Sequence, residues 1–200
     1  MNISRIWAMP SADTFDIQPI GDLVKRYLKA SKISVDPFAR NKRWATYTND
    51  LNPDTAAEYH LDAYDFLLLL QSKGVSPDLI IFDPPYSRQQ VKEVYAGIGR
   101  HYGIEDSQDH STNWSKERDI IDQILSVNGV VISCGWNSGG MGKVRGYKPL
   151  DLLITPHGGN HNDTITFVEQ KVSHQPALLP NIACSGFAAG RVKNKGSVKA

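Results

Sequence analysis

The sequence predicts an α/β protein built on a mostly parallel β-sheet with helices on both faces. Three observations lead there. Short runs of strand-forming residues, most of them rich in Val, Ile and Leu, recur at 32–36, 44–48, 78–83, 129–134, 150–155 and 164–169. Stretches with helical spacing lie between them at 17–30, 62–72, 87–98 and 115–127. Strands that alternate with helices pair in parallel, because the intervening helix returns the chain to the same end of the sheet. The last two runs are instead joined by PHGGNHND, with no helix, and should form an antiparallel hairpin.

Each element has a local reason. In 17–30 the residues Ile20, Leu23, Val24, Tyr27 and Leu28 share one helical face, and Pro19 suits the first turn. KISVD, WATYT, DLIIFD, GVVISC, LDLLIT and TITFVE are strand-length runs bounded by polar or turn residues. In 115–127 the stripe is Ile120, Ile121, Ile124 and Leu125, with Ser115 as the expected N-cap and Gly129 as the stop. Residues 1–170 read as a single domain. Residues 171–200 have few large apolar side chains and end GRVKNKGSVKA, which reads as an extended basic tail.

Bulk properties narrow the function. The formal charge of +1 argues against a protein that coats or compacts nucleic acid, so any such binding must use a local patch. Cys134 and Cys184 share no metal-ligand spacing, and Cys134, inside an apolar run, is expected to be a reduced buried thiol. The N-terminal residues lack the apolar stretch of a signal peptide, and FLLLL is too short to span a bilayer, so a cytoplasmic protein is expected.

The most informative stretch is LIIFDPPYSR, at 79–88. A strand stops at Asp83, two prolines follow that donate no N–H and forbid helix before them, and Tyr86 comes next. Ligands in open α/β sheets gather beyond the carboxyl ends of the strands. Asp36 (VDPFARN), Asp50 (TNDLNP), Asp62 (YHLDAYDFL) and Asp83 all fall at such ends or at the start of the following helix. By itself a D-P-P-Y string also fits a capped turn at a strand end.

Taken with VDPFA, NDLNP and LDAYDFL upstream and GVVISCGWNS downstream, DPPY resembles the catalytic motif of the amino-methyltransferases. These use S-adenosylmethionine and act on adenine N6 or cytosine N4. The resemblance spans roughly residues 10–170 and is nearest to the small phage and prophage adenine-specific DNA methyltransferases. It implies the class I, Rossmann-like methyltransferase fold and S-adenosylmethionine as cofactor. The implied catalytic segment is Asp83, Pro84, Pro85 and Tyr86: the Asp83 carboxylate and Pro84 carbonyl each accept an N–H of the target amine, Pro85 stiffens the turn, and Tyr86 stacks on the base. Asp36 begins the first cofactor motif, Asp50 holds ribose hydroxyls, and Asp62 and Ala63 meet the cofactor adenine, with Asp65 the alternative in another register. Asp83 also borders the cofactor side, and Phe15 and Phe38 are candidate walls. ADTFDIQPI is either a cofactor-touching segment or a helix-entry loop. An aspartate heading the motif, where many cytosine-N4 enzymes have serine, favours adenine. A base within a duplex cannot reach such a pocket, so the implied partner is DNA with a flipped or unpaired adenine.

The pattern departs from that family in two places. DPFARNKRWATYTND has no glycine, and Asp36 and Asp50 stand only fourteen positions apart, so the first crossover should be shortened. No separate target-recognition domain is visible, which leaves 87–118, 135–148 or the tail to touch DNA. In 135–148 Lys143, Arg145 and Lys148 have no acid among them, on what reads as a flexible glycine-rich loop, and are either the better phosphate contacts or simply a solvated surface loop. Trp136 is either a second stacking ring or core. Trp114 reads as a packing staple. His157, His161 and Asp163 read as a polar hairpin loop rather than metal ligands, and no metal site is expected. Competing readings are the same transfer to RNA, to cytosine N4 or to a protein amide, and a non-catalytic module that keeps the fold.

Overall fold

The computed structural model describes residues 1–99 and 114–172. The tail expected at 171–200 begins later, since Lys171 is a buried strand residue, and residues 173–200 and the middle of the 87–118 segment lie outside the described residues. Seven strands form one sheet: β1 (Asn2–Arg5), β2 (Ser34–Asp36), β3 (Tyr47–Thr48), β4 (Leu79–Phe82), β5 (Val130–Gly135), β6 (Tyr147–Thr155) and β7 (Thr164–Lys171). Among the described residues four α-helices connect or cover them: α1 (Gln18–Ala30), α2 (Ala63–Ser72), α3 (Arg88–Gly97) and α4 (Ser115–Ile124). The strand order is β1-β6-β7-β5-β4-β2-β3. Neighbouring strands are parallel except where β7 lies antiparallel between β5 and β6. The hairpin expected at 150–169 is therefore present, with Leu153 opposite Thr166.

The centre of the sheet is buried on both faces, which is why β4 reads as an unbroken apolar run. Successive side chains point to opposite faces. Ile80 and Phe82 join Val35, Val131 and the stripes of α2 and α4, Phe66, Leu70, Ile121 and Ile124 among them. Leu79 and Ile81 join Ile132, Leu153, Val168 and the α1 residues Ile20 and Val24. No described helix is long and apolar enough to cross a membrane.

Several local expectations are corrected. Strand β1 has no apolar alternation and is exposed throughout, so its sequence does not advertise it. It forms because Asn2–Arg5 pair in parallel with Asp151–Ile154, and Asn2 Nδ2 donates to Asp151 Oδ1 at 2.9 Å. The WATYT run supplies a strand only at Tyr47–Thr48, since Trp44 turns away to stack on Phe15 with ring centres 5.9 Å apart. The cap of α4 is Trp114, in the left-handed region at φ 45°, and Ser115 is the first helical residue. That helix ends at Ile124, where Leu125 is extended, before Gly129 is reached.

The first crossover is shortened, as its spacing suggested. Residues 37–46 join the parallel strands β2 and β3 with no helix. From β2 the chain moves outward to β3, and from β4 it moves the opposite way to β5. The sheet therefore has its topological switch point between β2 and β4, where a crevice opens beyond the strand ends.

Candidate active site

That crevice is a cavity of about 590 Å³. It is lined from the N-terminal loop by Phe15, from the loop after β2 by Phe38, from the loop after β3 by Asp50, and from the start of α2 by Asp62 and Ala63. Asp83, Pro84, Pro85 and Tyr86 close the end beyond β4. Nine of the residues proposed from sequence thus share one cavity. Asp36 lies beneath it, almost fully buried, and Asp65 is exposed on α2 outside it.

Local geometry explains the placement. Asn49, at the end of β3, is buried and acts as a clip: its Nδ2 donates to the Pro37 and Leu61 carbonyls at 3.1 and 3.0 Å, and its Oδ1 accepts from Leu61 N at 2.9 Å. It ties the loop after β2 to the approach of α2, so Asp50 and Asp62 face the same space. Asp62 caps α2 by accepting from Tyr64 N at 2.9 Å. The Asp50 carboxylate accepts from Arg40 N at 3.0 Å and Asn52 N at 2.9 Å. A carboxylate has about four acceptor positions, so hydroxyl donors can still be received there. Arg40 adopts φ 48°, the left-handed conformation that a glycine would take more easily. Its amide bond to Asp50 and its Nη1 bond to the Ala12 carbonyl, at 2.5 Å, hold it there without a glycine. Neither Asn49 nor Arg40 stood out in the sequence.

At the other end the Tyr86 hydroxyl donates to Asp83 Oδ1 and lies 3.4 Å from Thr14 Oγ1. Tyr86 N donates to Gln90 Oε1 at 2.6 Å, and Ser87 caps α3 by accepting from Gln90 N. Trp114 lines the cavity, lies edge-on to Phe38 and Phe82, and donates from Nε1 to the Pro85 carbonyl at 3.3 Å. It is more than a staple: it braces the prolyl turn from a helix distant in sequence. Burial pushes the Asp83 carboxyl up to about 6, against the stabilising hydroxyls of Tyr86 and Thr14. Burial also raises Asp36 well above the carboxylate range, countered by the Phe38 N–H and reinforced by the negative charge of Asp83. Tyr86 is raised by burial and then by Asp83, so its hydroxyl remains protonated.

The remaining candidates lie elsewhere. Trp136 is 41% exposed and sits edge-on to Tyr86 at 5.7 Å, outside the cavity lining but beside its target end. Arg145 does not extend to solvent from a mobile loop. It pairs with Asp119 at 2.5 Å and donates to the Met141 carbonyl at 2.6 Å. Lys143 lies in the short helical turn before it. The glycine-rich loop is pinned, with Met141 fully buried and its N–H donated to Glu169 Oε2 at 2.7 Å. His157 is buried, its ring nitrogens 3.0 Å from the Ala8 carbonyl and 2.8 Å from Thr164 Oγ1. Among the described residues, no three His, Cys, Asp or Glu side chains cluster as a metal site would require.

No protein-family model matches the chain, and no curated protein matches it. Solved structures do. The chain is similar to yhhF from Escherichia coli, assigned as a methyltransferase, with a TM-score of 0.50 at 11% identity, over 84% of this chain and 92% of that one. It is also similar to SMU.776, a protein assigned as a methyltransferase and complexed with SAH, with a TM-score of 0.48 at 16% identity. That match covers 74% of this chain, which spans 48% of the length of SMU.776. The N-methyltransferase NodS from Bradyrhizobium japonicum matches with a TM-score of 0.49 at 9% identity, over 81% of this chain and 99% of that one. At these identities the likeness concerns architecture, and the match to yhhF carries it. The mixed seven-stranded sheet with helices on both faces, opening at the β2–β4 switch point, is the Rossmann-like α/β fold of the class I methyltransferases.

Proposed function

We propose that this protein transfers a methyl group from S-adenosylmethionine to the exocyclic N6 amine of an unpaired or flipped adenine in DNA. One observation carries the reading: Asp83, on a rigid prolyl turn, lines the same cavity as Asp50 and Asp62. The cavity volume falls within the range of roughly 300–1,000 Å³ usual for ligands of cofactor size. Its lining includes the carboxylates of Asp13, Asp50, Asp54, Asp62, Asp83 and Glu93, while Arg40 is the one cationic side chain among the described lining residues. Such a lining favours a cationic ligand.

When bound, S-adenosylmethionine would supply a sulfonium methyl group as the electrophile, its carbon–sulfur bond breaking to leave a neutral thioether. Asp50 is placed to accept ribose hydroxyls, and Asp62 and Ala63 to border the adenine. Phe15 and Phe38 supply apolar walls. An adenine amine is conjugated with its ring and is a poor nucleophile. Asp83 accepting one N–H and the Pro84 carbonyl accepting the other draw it towards a tetrahedral nitrogen, and the rigid turn fixes its direction. Asp83 takes the proton that nitrogen sheds as its new bond to carbon forms. Tyr86 offers its face to the base, and Trp136 stands beside it as a second ring for an extruded or single-stranded nucleotide.

Labelled-methyl transfer tested in parallel on single-stranded DNA, duplex DNA, RNA and bulk protein checks the reading. DNA should acquire label as N6-methyladenine, in a short or relaxed sequence context and with affinity that falls steeply with salt. Label entering only RNA or protein would replace the DNA assignment, and a strict site of about four or more base pairs read by the protein alone would contradict the relaxed context. Asp50→Asn should weaken S-adenosylmethionine binding by about 1–3 kcal/mol in calorimetry, the usual worth of hydrogen bonds to a charged acceptor. No heat from the wild-type protein with millimolar cofactor would remove the proposal altogether.

A further inference from the structure

The hydroxyl of Tyr86 donates to Asp83 Oδ1, on the carboxylate that the target amine would approach. If Tyr86 only stacked on the base, a phenylalanine ring would serve, and no hydroxyl would share that carboxylate with the amine. A second oxygen waits on the other side of that hydroxyl: Thr14 Oγ1, at 3.4 Å. Thr14 belongs to the short helical turn Thr14–Asp16, which is capped by Asp13, whose Oδ1 accepts from Phe15 N at 3.3 Å. The turn is held further by the Arg40 bond to the Ala12 carbonyl and by Phe15 stacked on Trp44. The Thr14 hydroxyl is therefore a fixed point, and it lines the cavity between cofactor and target ends.

We propose that Thr14 is a positioning residue of the target subsite: it receives the Tyr86 hydroxyl when the target amine displaces that hydroxyl from Asp83. The inference rests on the methyltransferase reading above. A second acceptor lowers the cost of the exchange, although a neutral hydroxyl accepts less strongly than a carboxylate. A donor simply evicted from Asp83 would be left unsatisfied in a part-buried site, at a cost comparable to a lost hydrogen bond. Closing the Thr14–Tyr86 separation to the usual O–H···O length of about 2.8 Å needs a ring movement of roughly 0.6 Å. Asp83 thus stays hydrogen-bonded while the site waits, and is released only to a group that can donate in Tyr86's place.

The test is a double-mutant cycle on DNA methylation. Thr14→Val should raise KM for DNA roughly three- to tenfold, the equivalent of one neutral hydrogen bond, with the S-adenosylmethionine dissociation constant unchanged. Thr14→Ser, which keeps the hydroxyl, should restore the wild-type KM. In a Tyr86→Phe background Thr14→Val should have a clearly smaller effect on KM, leaving only the part carried by the Thr14 hydroxyl's own stabilisation of Asp83. Additive effects, or a loss of cofactor affinity in Thr14→Val, would show that Thr14 merely shapes the loop, and would overturn the exchange while leaving the methyltransferase reading intact. A wild-type protein that methylates no DNA removes both readings at once.

Discussion

Asp83→Asn should slow methyl transfer about a hundredfold to a thousandfold, the usual effect of removing one positioned acceptor of transition-state charge. S-adenosylmethionine binding should be retained, because in the proposed mechanism Asp83 meets the target amine. Single-turnover rates with saturating DNA and calorimetry with cofactor alone separate the two. A variant that transfers at a near-normal rate would remove Asp83 from the mechanism.

The same substitution should stabilise the fold at neutral pH. An aspartate in the unfolded chain titrates near 3.9, whereas the folded environment pushes Asp83 up to about 6. The native state therefore holds the proton more tightly. The stability this confers is complete below about pH 4 and lost as pH rises through about 6. Asparagine cannot ionise and suffers no such loss. Thermal melts should show the Asn variant ahead of wild type at neutral pH, with the gap closing as pH falls towards 4. The wild-type rate should rise through about pH 6 as the carboxylate forms, so activity and stability run in opposite directions across the same interval. A gap that does not vary with pH would mean that another group carries the shift.

The second large effect is expected at Gly140. Its φ of +48° lies in the left-handed region, and an added Cβ would stand 1.9 Å from Glu169 Oε2 and 2.7 Å from Phe167 Cδ1. Alanine there meets backbone strain of about 1–2 kcal/mol and also drives Glu169 away from the Met141 N–H. Burial already raises the Glu169 carboxyl, countered mainly by that N–H and then by the Arg118 charge, so losing the bond leaves an ill-satisfied carboxylate near the core. Gly140→Ala should cost about 3 kcal/mol in all. Gly74, at φ +68° with nothing within 4 Å of an added Cβ, isolates the backbone cost. Gly74→Ala should cost only about 1 kcal/mol. Equal losses in denaturant melts of the two variants would show that the Glu169 clasp contributes nothing.

Arg145 marks a boundary of sequence reading. Three basic residues without an acid in 135–148 suggested a free cationic loop. Asp119, which neutralises Arg145, comes from α4, and Glu169, which anchors the loop, comes from β7. Charge balance within a segment cannot reveal partners supplied by other elements.

What the sequence determined by itself was the alternation of elements and the carboxylates at the ends of β2, β3 and β4. Both are local: apolar runs such as LIIF can be buried on two faces only inside a covered parallel sheet, and two prolines after Asp83 permit only a rigid, donor-free turn. Tertiary structure decided what stands beside what. Strand β1 exists only as a partner of β6, because four exposed residues without alternation have no preference of their own. Arg40 can occupy a glycine's conformation because Asp50 and Ala12 hold it. Trp114 reaches the Pro85 carbonyl, and Thr14 reaches the Tyr86 hydroxyl, across 29 and 72 positions of chain. Hydrogen bonds of a few ångströms between residues so far apart leave no periodicity or spacing in the sequence, and only packing of the chain brings them into being.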